Sequence, residues 1–319
     1  MHLAWPDFTS GKFVKGRQSS ILLISLNITV IYLNLEDQQN ACSMKYFLVG
    51  LFLCLAMMAI NAFTLPLTFD PHKGLIAYYS FNACDARDDS GNGSDGEMFG
   101  AINCWCGVDD DGLLFDGDRD YLKFPGVVNR YFTTSDFTIS FYFKVEGYTT
   151  FPQSLLSKRE RCDEYNMFDI QRDMRQREVI AEVYENPQKF YGGLNTAIDT
   201  GGWVHYALVR EGFRARTYLN GTLREESYRC SGVDISNNAV LSFSDSPCIR
   251  TGRARRFRGV IDELRVYDYA LTEEEIGRLF LLHPIENIQM DCFTFAPKKS
   301  RDWLLNTDET PYLCFANSR

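Results

Sequence analysis

The sequence predicts an all-β protein, a two-sheet β-sandwich with one short C-terminal helix, and three observations carry that expectation. Short runs alternate apolar and polar residues along most of the chain. Glycine- and asparagine-rich turn signals separate those runs. Helix-period patterning occurs clearly only once, near the end of the patterned region. Strands that are apolar on one face must bury that face against another layer, and two packed sheets do so without helices.

In chain order, the first strand is expected at Leu75–Phe81, followed by the turn Ser90-Gly91-Asn92-Gly93. Tyr121–Phe124 follows the turn at Asp116-Gly117. The longest alternation is Phe137–Val145, with Phe137, Ile139, Phe141, Phe143 and Val145 on one face and Thr138, Ser140, Tyr142 and Lys144 on the other. Val179–Tyr184, Trp203–Val209, Thr217–Asn220 and Val240–Phe243 are further strands. Asn220-Gly221 between two β-prone runs signals a tight hairpin. The helix is expected over Thr272–Leu282. Thr272 and Glu275 form a capping box, three glutamates fill the first turn, and Ile276, Leu279 and Phe280 make an apolar stripe.

Residues 44–62 have the layout of a signal peptide: Lys45, an apolar run, then Ala62 before Phe63. Such a leader acts from a chain's own start, so Met44 is expected to be the true start, with residues 1–43 an upstream region. This divides the chain into 1–43, the leader 44–62, a sandwich domain 63–283 and a cysteine-containing tail 284–319. An exported chain meets oxidising conditions, so its eight remaining cysteines are disulfide candidates: Cys84, Cys104, Cys106, Cys162, Cys230, Cys248, Cys292 and Cys314. Their connectivity stays open, because eight cysteines allow about 105 complete pairings. The charge balance is acidic, 33 basic against 42 acidic residues. That argues against a nucleic-acid partner, which needs a basic face. No membrane-spanning segment is expected in the mature chain.

Several segments together resemble the LamG-like jelly-roll domains of the concanavalin A-like lectin/glucanase superfamily. They are Gly74–Phe81 with Asp88–Gly96, Leu114–Leu122 (LFDGDRDYL), Phe137–Phe143, Trp203–Val209, Thr217–Gly221 and Phe257–Leu271. Their order matches that of the family over about 74–282. The resemblance implies a two-sheet jelly roll, a binding function and a calcium ion joining the glycine loop to the aspartate of the last strand.

The residues point the same way independently. Alternation in Val260–Val266 puts Asp262 on the face of Val260, Leu264 and Val266, leaving Glu263 and Arg265 to be solvated. A carboxylate on an apolar face needs a cation or hydrogen bonds. Asp88 and Asn92, with carbonyls of the glycine loop, offer oxygen ligands of the kind Ca²⁺ takes. The expected metal set is therefore Asp88, Asn92 and Asp262, holding a structural ion. The plainer alternative has Asp262 capping N–H groups of that loop. The aspartates at 109–111 and at 116, 118 and 120 read as solvated turn residues.

Catalysis finds little support. The E-x-D-x-E pattern of glucan hydrolases on this fold is absent, and no expected strand supplies a same-face carboxylate pair at the separation retaining glycosidases use. His205 reads as structural, and Trp105 and Trp203 read as core residues. The basic run Arg250–Arg258 reads either as a solvated hairpin entering the last strand or as a site for sulfated glycan or a phosphate-rich surface. The function expected is a secreted or cell-surface binding or adhesion module for glycan or protein. The alternatives are a glycan-active hydrolase and a structural spacer.

Overall fold

A computed structural model describes residues 69–198 and 201–285. The signal-peptide segment, Cys292 and Cys314 lie outside the described residues. Strands β1 to β16 follow chain order and form two antiparallel eight-stranded sheets. The first sheet holds β1 (Leu75–Tyr79), β3 (Asn103–Cys106), β4 (Asp111–Asp116), β6 (Phe137–Val145), β12 (Val204–Glu211), β13 (Arg214–Leu219), β14 (Thr222–Tyr228) and β16 (Arg258–Tyr267). The second holds β2 (Glu97–Phe99), β5 (Tyr121–Phe124), β7 (Gln153–Lys158), β8 (Met167–Asp173), β9 (Glu178–Asn186), β10 (Lys189–Tyr191), β11 (Asn195–Ala197) and β15 (Leu241–Phe243). Successive strands often lie in opposite sheets, as β4 and β5 do, which is the jelly-roll form of a sandwich.

The two inner faces bury one continuous core. Phe115 of β4, Phe243 of β15 and Phe257 interlock edge to face across the sheets, with ring centroids 5.0 to 6.0 Å apart. A fully buried phenylalanine contributes roughly 1.5–3 kcal/mol, and such pairs about 0.5–1.5 kcal/mol more. The expected alternation of β6 is realised: Phe137, Ile139, Phe141 and Phe143 join this core. The outer face of the first sheet carries a second cluster. There Ile276 and Leu279 of α2 (Glu273–Phe280) pack with Ala207, Val209, Tyr218 and Tyr267. Both halves of the Thr272/Glu275 capping box are made. A one-turn helix, α1 (Pro247–Arg250), starts at Ser246, whose side chain accepts from the Cys248 N–H.

The Asn220-Gly221 hairpin joins β13 to β14 with positive φ at both residues, 50° and 73°, as the tight turn requires. A Cβ at Gly221 would lie 3.1 Å from Phe280 of α2, so close packing reinforces the choice of glycine.

Three expectations are corrected. In β16 the register slips between Asp262 and Arg265, where Glu263 adopts φ 55°. This bulge inserts one residue, so Leu264 and Val266 turn into the core while Asp262 does not. Glu263 and Arg265 are buried rather than solvated. Trp105 and Trp203 are half-buried and stand outside the core. Asp120 is no solvated turn residue: it is buried, accepting from the N–H groups of Ala101 and Asp116.

Candidate functional site

The outer face of the second sheet carries a polar cleft. On β8, Phe168 and Ile170 point into the core, so Asp169 and Gln171 point out. On β9, Val179, Ala181 and Val183 point in, leaving Glu182 and Tyr184 outside. Asp169 and Glu182 are direct cross-strand partners. A same-face carboxylate pair therefore exists, supplied by two neighbouring strands, contrary to the expectation from single strands.

Arg159, just beyond β7, organises the pair. Its Nη1 donates to Asp169 Oδ2 at 2.8 Å and reaches Glu182 Oε2 at 3.4 Å. Its Nε donates to the Arg161 carbonyl at 2.8 Å, and its Nη2 donates to the Asp163 carbonyl. One guanidinium thus fixes both acids and folds the loop that follows it. Asp169 Oδ2 also accepts from Gln171 Nε2 at 3.1 Å and Ser246 Oγ at 2.9 Å. Burial pushes the Asp169 carboxyl up, against the pull of Arg159. Burial, with Asp169 alongside, also raises Glu182. Above these groups opens a cleft of about 450 Å³ whose lining includes Arg159, Asp163, Glu164, Gln171, Glu182 and Arg253. The Cys162–Cys248 disulfide closes one side and ties the Arg159 loop to α1. Beyond Glu182, the Tyr184 and Phe190 rings stack with centroids 4.5 Å apart.

The expected metal residues are placed as follows. Asp262 is fully buried; its Oδ2 accepts from the N–H groups of Val108 (2.7 Å) and Asp109 (3.2 Å), and its Oδ1 from that of Glu263 (2.8 Å). Burial and the neighbouring Glu263 raise its carboxyl well above the usual range. Asp88 Oδ1 accepts from Tyr78 N, Ser90 N and Ser90 Oγ, and its Oδ2 from Ser94 N. Asn92 donates its Nδ2 to the carbonyls of Leu75 and Ile76. Asp88 and Asn92 thus cap one loop and Asp262 another. An ion bridging the three would have to displace N–H donors, which present positive charge where the cation would sit.

A second polar cluster lies beside Asp262. Glu263 accepts from Tyr78 Oη at 2.6 Å, pairs with Arg265, and meets His283 Nε2 at 3.2 Å. Burial alone would raise Glu263, but His283, Arg265 and Tyr78 outweigh it and hold the carboxyl low. Asp109, Glu263 and His283 lie close enough to share an ion, yet the Arg265 guanidinium already neutralises Glu263.

Of the disulfide candidates, Cys84 pairs with Cys104 and Cys162 with Cys248. Cys106 is disulfide-bonded as well, and Cys230 is free and exposed. The cleft residues were missed because neither β7 nor β8 was read as a strand. The signal was present in Phe168-Asp169-Ile170-Gln171, a brief apolar/polar alternation.

A family model described as the concanavalin A-like lectin/glucanases superfamily matches residues 116–277, half of the chain. The chain belongs to that superfamily. No curated protein matches it in sequence. Among solved structures it is similar to domain 4 of AbnA, a GH43 extracellular arabinanase from Geobacillus stearothermophilus, in complex with arabinotriose. The identity is 21%, covering 64% of this chain and 97% of that one, with a TM-score of 0.50. It is also similar to the binding domain of botulinum neurotoxin DC in complex with rat synaptotagmin II (13% identity, 67% and 52% covered, TM-score 0.53). The binding domain of Paraclostridial mosquitocidal protein 1 is a further neighbour (16%, 66% and 52%, 0.52). The chain spans about half the length of these two toxin domains. At such identities the likeness shows the shared fold alone. Among the described residues, no helix is long and apolar enough to cross a membrane.

Proposed function

We propose that this superfamily member is an extracellular binding module whose ligand is a glycan, held in the cleft on the second sheet. The observation that carries the reading is the Arg159-organised floor: a preformed cleft of about 450 Å³ walled by carboxylates, an amide and guanidinium groups. Such sites take small polar ligands, and fixed planar hydrogen-bonding groups suit sugar hydroxyls. Tyr165, 57% exposed, offers an aromatic face near the loop. The disulfides fit an exported chain. Glu182→Gln and Gln171→Ala should each weaken oligosaccharide binding at least tenfold in calorimetric titration at a temperature where melting curves show the variant still folded. Wild-type affinity in both variants would remove the cleft from the reading.

One observation favours a hydrolase as the second reading: two cross-strand carboxyls, both raised, lie together on the outer side of the second sheet. Against it, Arg159 binds both acids, and Asp169 lies beneath the cleft floor. New reducing ends released from polysaccharide, and lost with Glu182→Gln, would favour the enzyme.

A calcium ion at the Asp88 loop belongs to the proposal on the strength of the family resemblance. The geometry supports a hydrogen-bonded pin more directly, and chelation decides between them.

A further inference from the structure

The cleft on the second sheet is uneven in what it offers a ligand. Arg159 commits its guanidinium to the protein. Its Nη1 holds Asp169 and Glu182, while its Nε and Nη2 donate to the carbonyls of Arg161 and Asp163. Gln171 donates its Nε2 to Asp169 Oδ2, which leaves its amide oxygen, an acceptor, for the cleft. Glu182 meets Arg159 at 3.4 Å through Oε2, and its side chain stays 32% exposed. Asp163 and Glu164 add two more carboxylates to the wall. Arg253 is the other guanidinium in the lining, and its Nη1 leans on the Cys162 carbonyl at 3.4 Å. Asp163, Glu164, Glu182 and the underlying Asp169 therefore outnumber Arg159 and Arg253, and most groups facing the cleft are acceptors.

Asp169 sharpens the imbalance. It is fully buried on the outer face it shares with Gln171 and Glu182, and its side-chain donors, Arg159, Gln171 and Ser246, all reach Oδ2. Its Oδ1 has no hydrogen-bond partner among the described residues. A buried carboxylate oxygen without a donor keeps its demand for positive charge. Burial and then Asp169 push the neighbouring Glu182 carboxyl up, and Glu164 adds to the push. Burial likewise raises the Tyr184 phenol, with Glu182 and Glu164 adding to it, so the Tyr184 ring stands beside both acids.

The geometry points to an amine-bearing glycan: the cleft selects sugar units whose amino group is free and protonated. This selection rests on the cleft's role as a glycan site and narrows it. An ammonium group brings three N–H donors and a positive charge to a surface made of acceptors. Charge-assisted bonds to carboxylates are roughly twice as strong as neutral ones. N-acetylation removes the charge and leaves a single N–H. A sulfated or carboxylated sugar would face the carboxylates of Asp163, Glu164 and Glu182 with Arg159 already engaged. An aromatic face beside the acids, as Tyr184 provides, adds cation–π attraction for the same ammonium.

A fully deacetylated glucosamine oligomer is the probe. It is titrated calorimetrically at slightly acidic pH against its N-acetylated counterpart and a neutral glucose oligomer of equal length. Wild-type protein should prefer the free-amine oligomer by about tenfold or more, the scale of one hydrogen bond to a charged group. Glu164→Gln, at an exposed position, should cut that preference by about threefold, the scale of one exposed ion pair. The preference is a ratio of two affinities, so a general loss of binding cancels from it. Asp118→Asn, on an exposed turn outside the cleft, should leave the ratio unchanged and controls for the acidity of the whole chain. Equal wild-type affinity for the free-amine and N-acetylated oligomers would overturn the proposal. So would an undiminished ratio in Glu164→Gln, or the same fall in ratio with Asp118→Asn. An oligolysine peptide that binds as tightly as the glucosamine oligomer overturns it too, because the cleft would then answer to charge without sugar. Equal affinities that Glu182→Gln weakens together keep the glycan site and remove only the selection for amines. Absence of binding to all three oligomers removes both. Melting curves on each variant confirm that the fold is intact.

Discussion

Asp262 and Gly107 form a pair in which each explains the other. A Cβ on Gly107 would lie 2.2 Å from Asp262 Oδ2, so only glycine lets the loop bring the Val108 and Asp109 N–H groups onto the carboxylate. Gly107→Ala should cost about 1–3 kcal/mol, the penalty for a buried polar group left unsatisfied. Asp262→Asn should cost a similar amount, and the double variant about as much as either single one, since both remove the same interaction. Additive losses in denaturant melts would separate the two residues. His205 makes a different residue-level statement. It is fully buried with Nε2 2.8 Å from Ser140 Oγ, and burial, with Arg265 and His283 nearby, lowers its pKa to about 3. The unfolded chain takes up a proton near pH 6.5 that the folded chain refuses until about pH 3. Stability carried by neutral His205 is therefore complete above about 6.5 and lost as pH falls, by about 1.4 kcal/mol per pH unit. His205→Gln should remove that slope between pH 6 and 4; an unchanged slope would assign it to the carboxylates alone.

At the scale of elements, the Arg159 loop is tied down twice, by the guanidinium and by the Cys162–Cys248 bridge. The bridge spans 86 residues, and removing a cross-link of that span typically costs about 2–4 kcal/mol through restored unfolded-state freedom. The double Cys162→Ala, Cys248→Ala variant should melt lower by that amount and bind oligosaccharide more weakly. Unchanged affinity would show that the loop needs only Arg159. These elements were the least legible in the sequence. Strands β6 and β12 announce themselves because one face is apolar and the other partly polar, and α2 because its cap is encoded locally. β7 reads Gln153-Ser-Leu-Leu-Ser-Lys158 without alternation, and a register slip near Leu156 lets all six residues be buried. The bulge at Glu263 is equally hidden. A non-glycine residue with positive φ leaves no mark on periodicity, yet it exchanges the faces of Leu264 and Val266. The carboxylate pair depends on cross-strand register between β8 and β9, which no single segment records.

For the molecule as a whole, the decisive pairing is between its first and last strands, since β1 lies along β16. Tyr78 links both ends: its N–H donates to Asp88, its hydroxyl to Glu263, and its ring carries the Arg265 guanidinium at 4.3 Å. Loss of this junction would expose an edge of each terminal strand, so the domain should unfold as one unit. A calcium ion bound by the Asp88 loop would strengthen the same junction. A ligand that binds only the folded state adds RT ln(1 + [L]/Kd), about 2.7 kcal/mol at a hundredfold excess. With the ion in place, melting in excess EDTA falls several degrees below melting in millimolar calcium, and Asp88→Asn removes the difference. Asp88→Asn also puts an NH2 donor where Oδ2 accepts from the Ser94 N–H, so its own melting point drops in both buffers. The response to calcium, rather than the drop itself, is the measurement that counts. Identical wild-type curves in the two buffers would leave N–H donors and Tyr78 as the whole of the pin, with Asp88 and Asp262 acting as caps on separate loops.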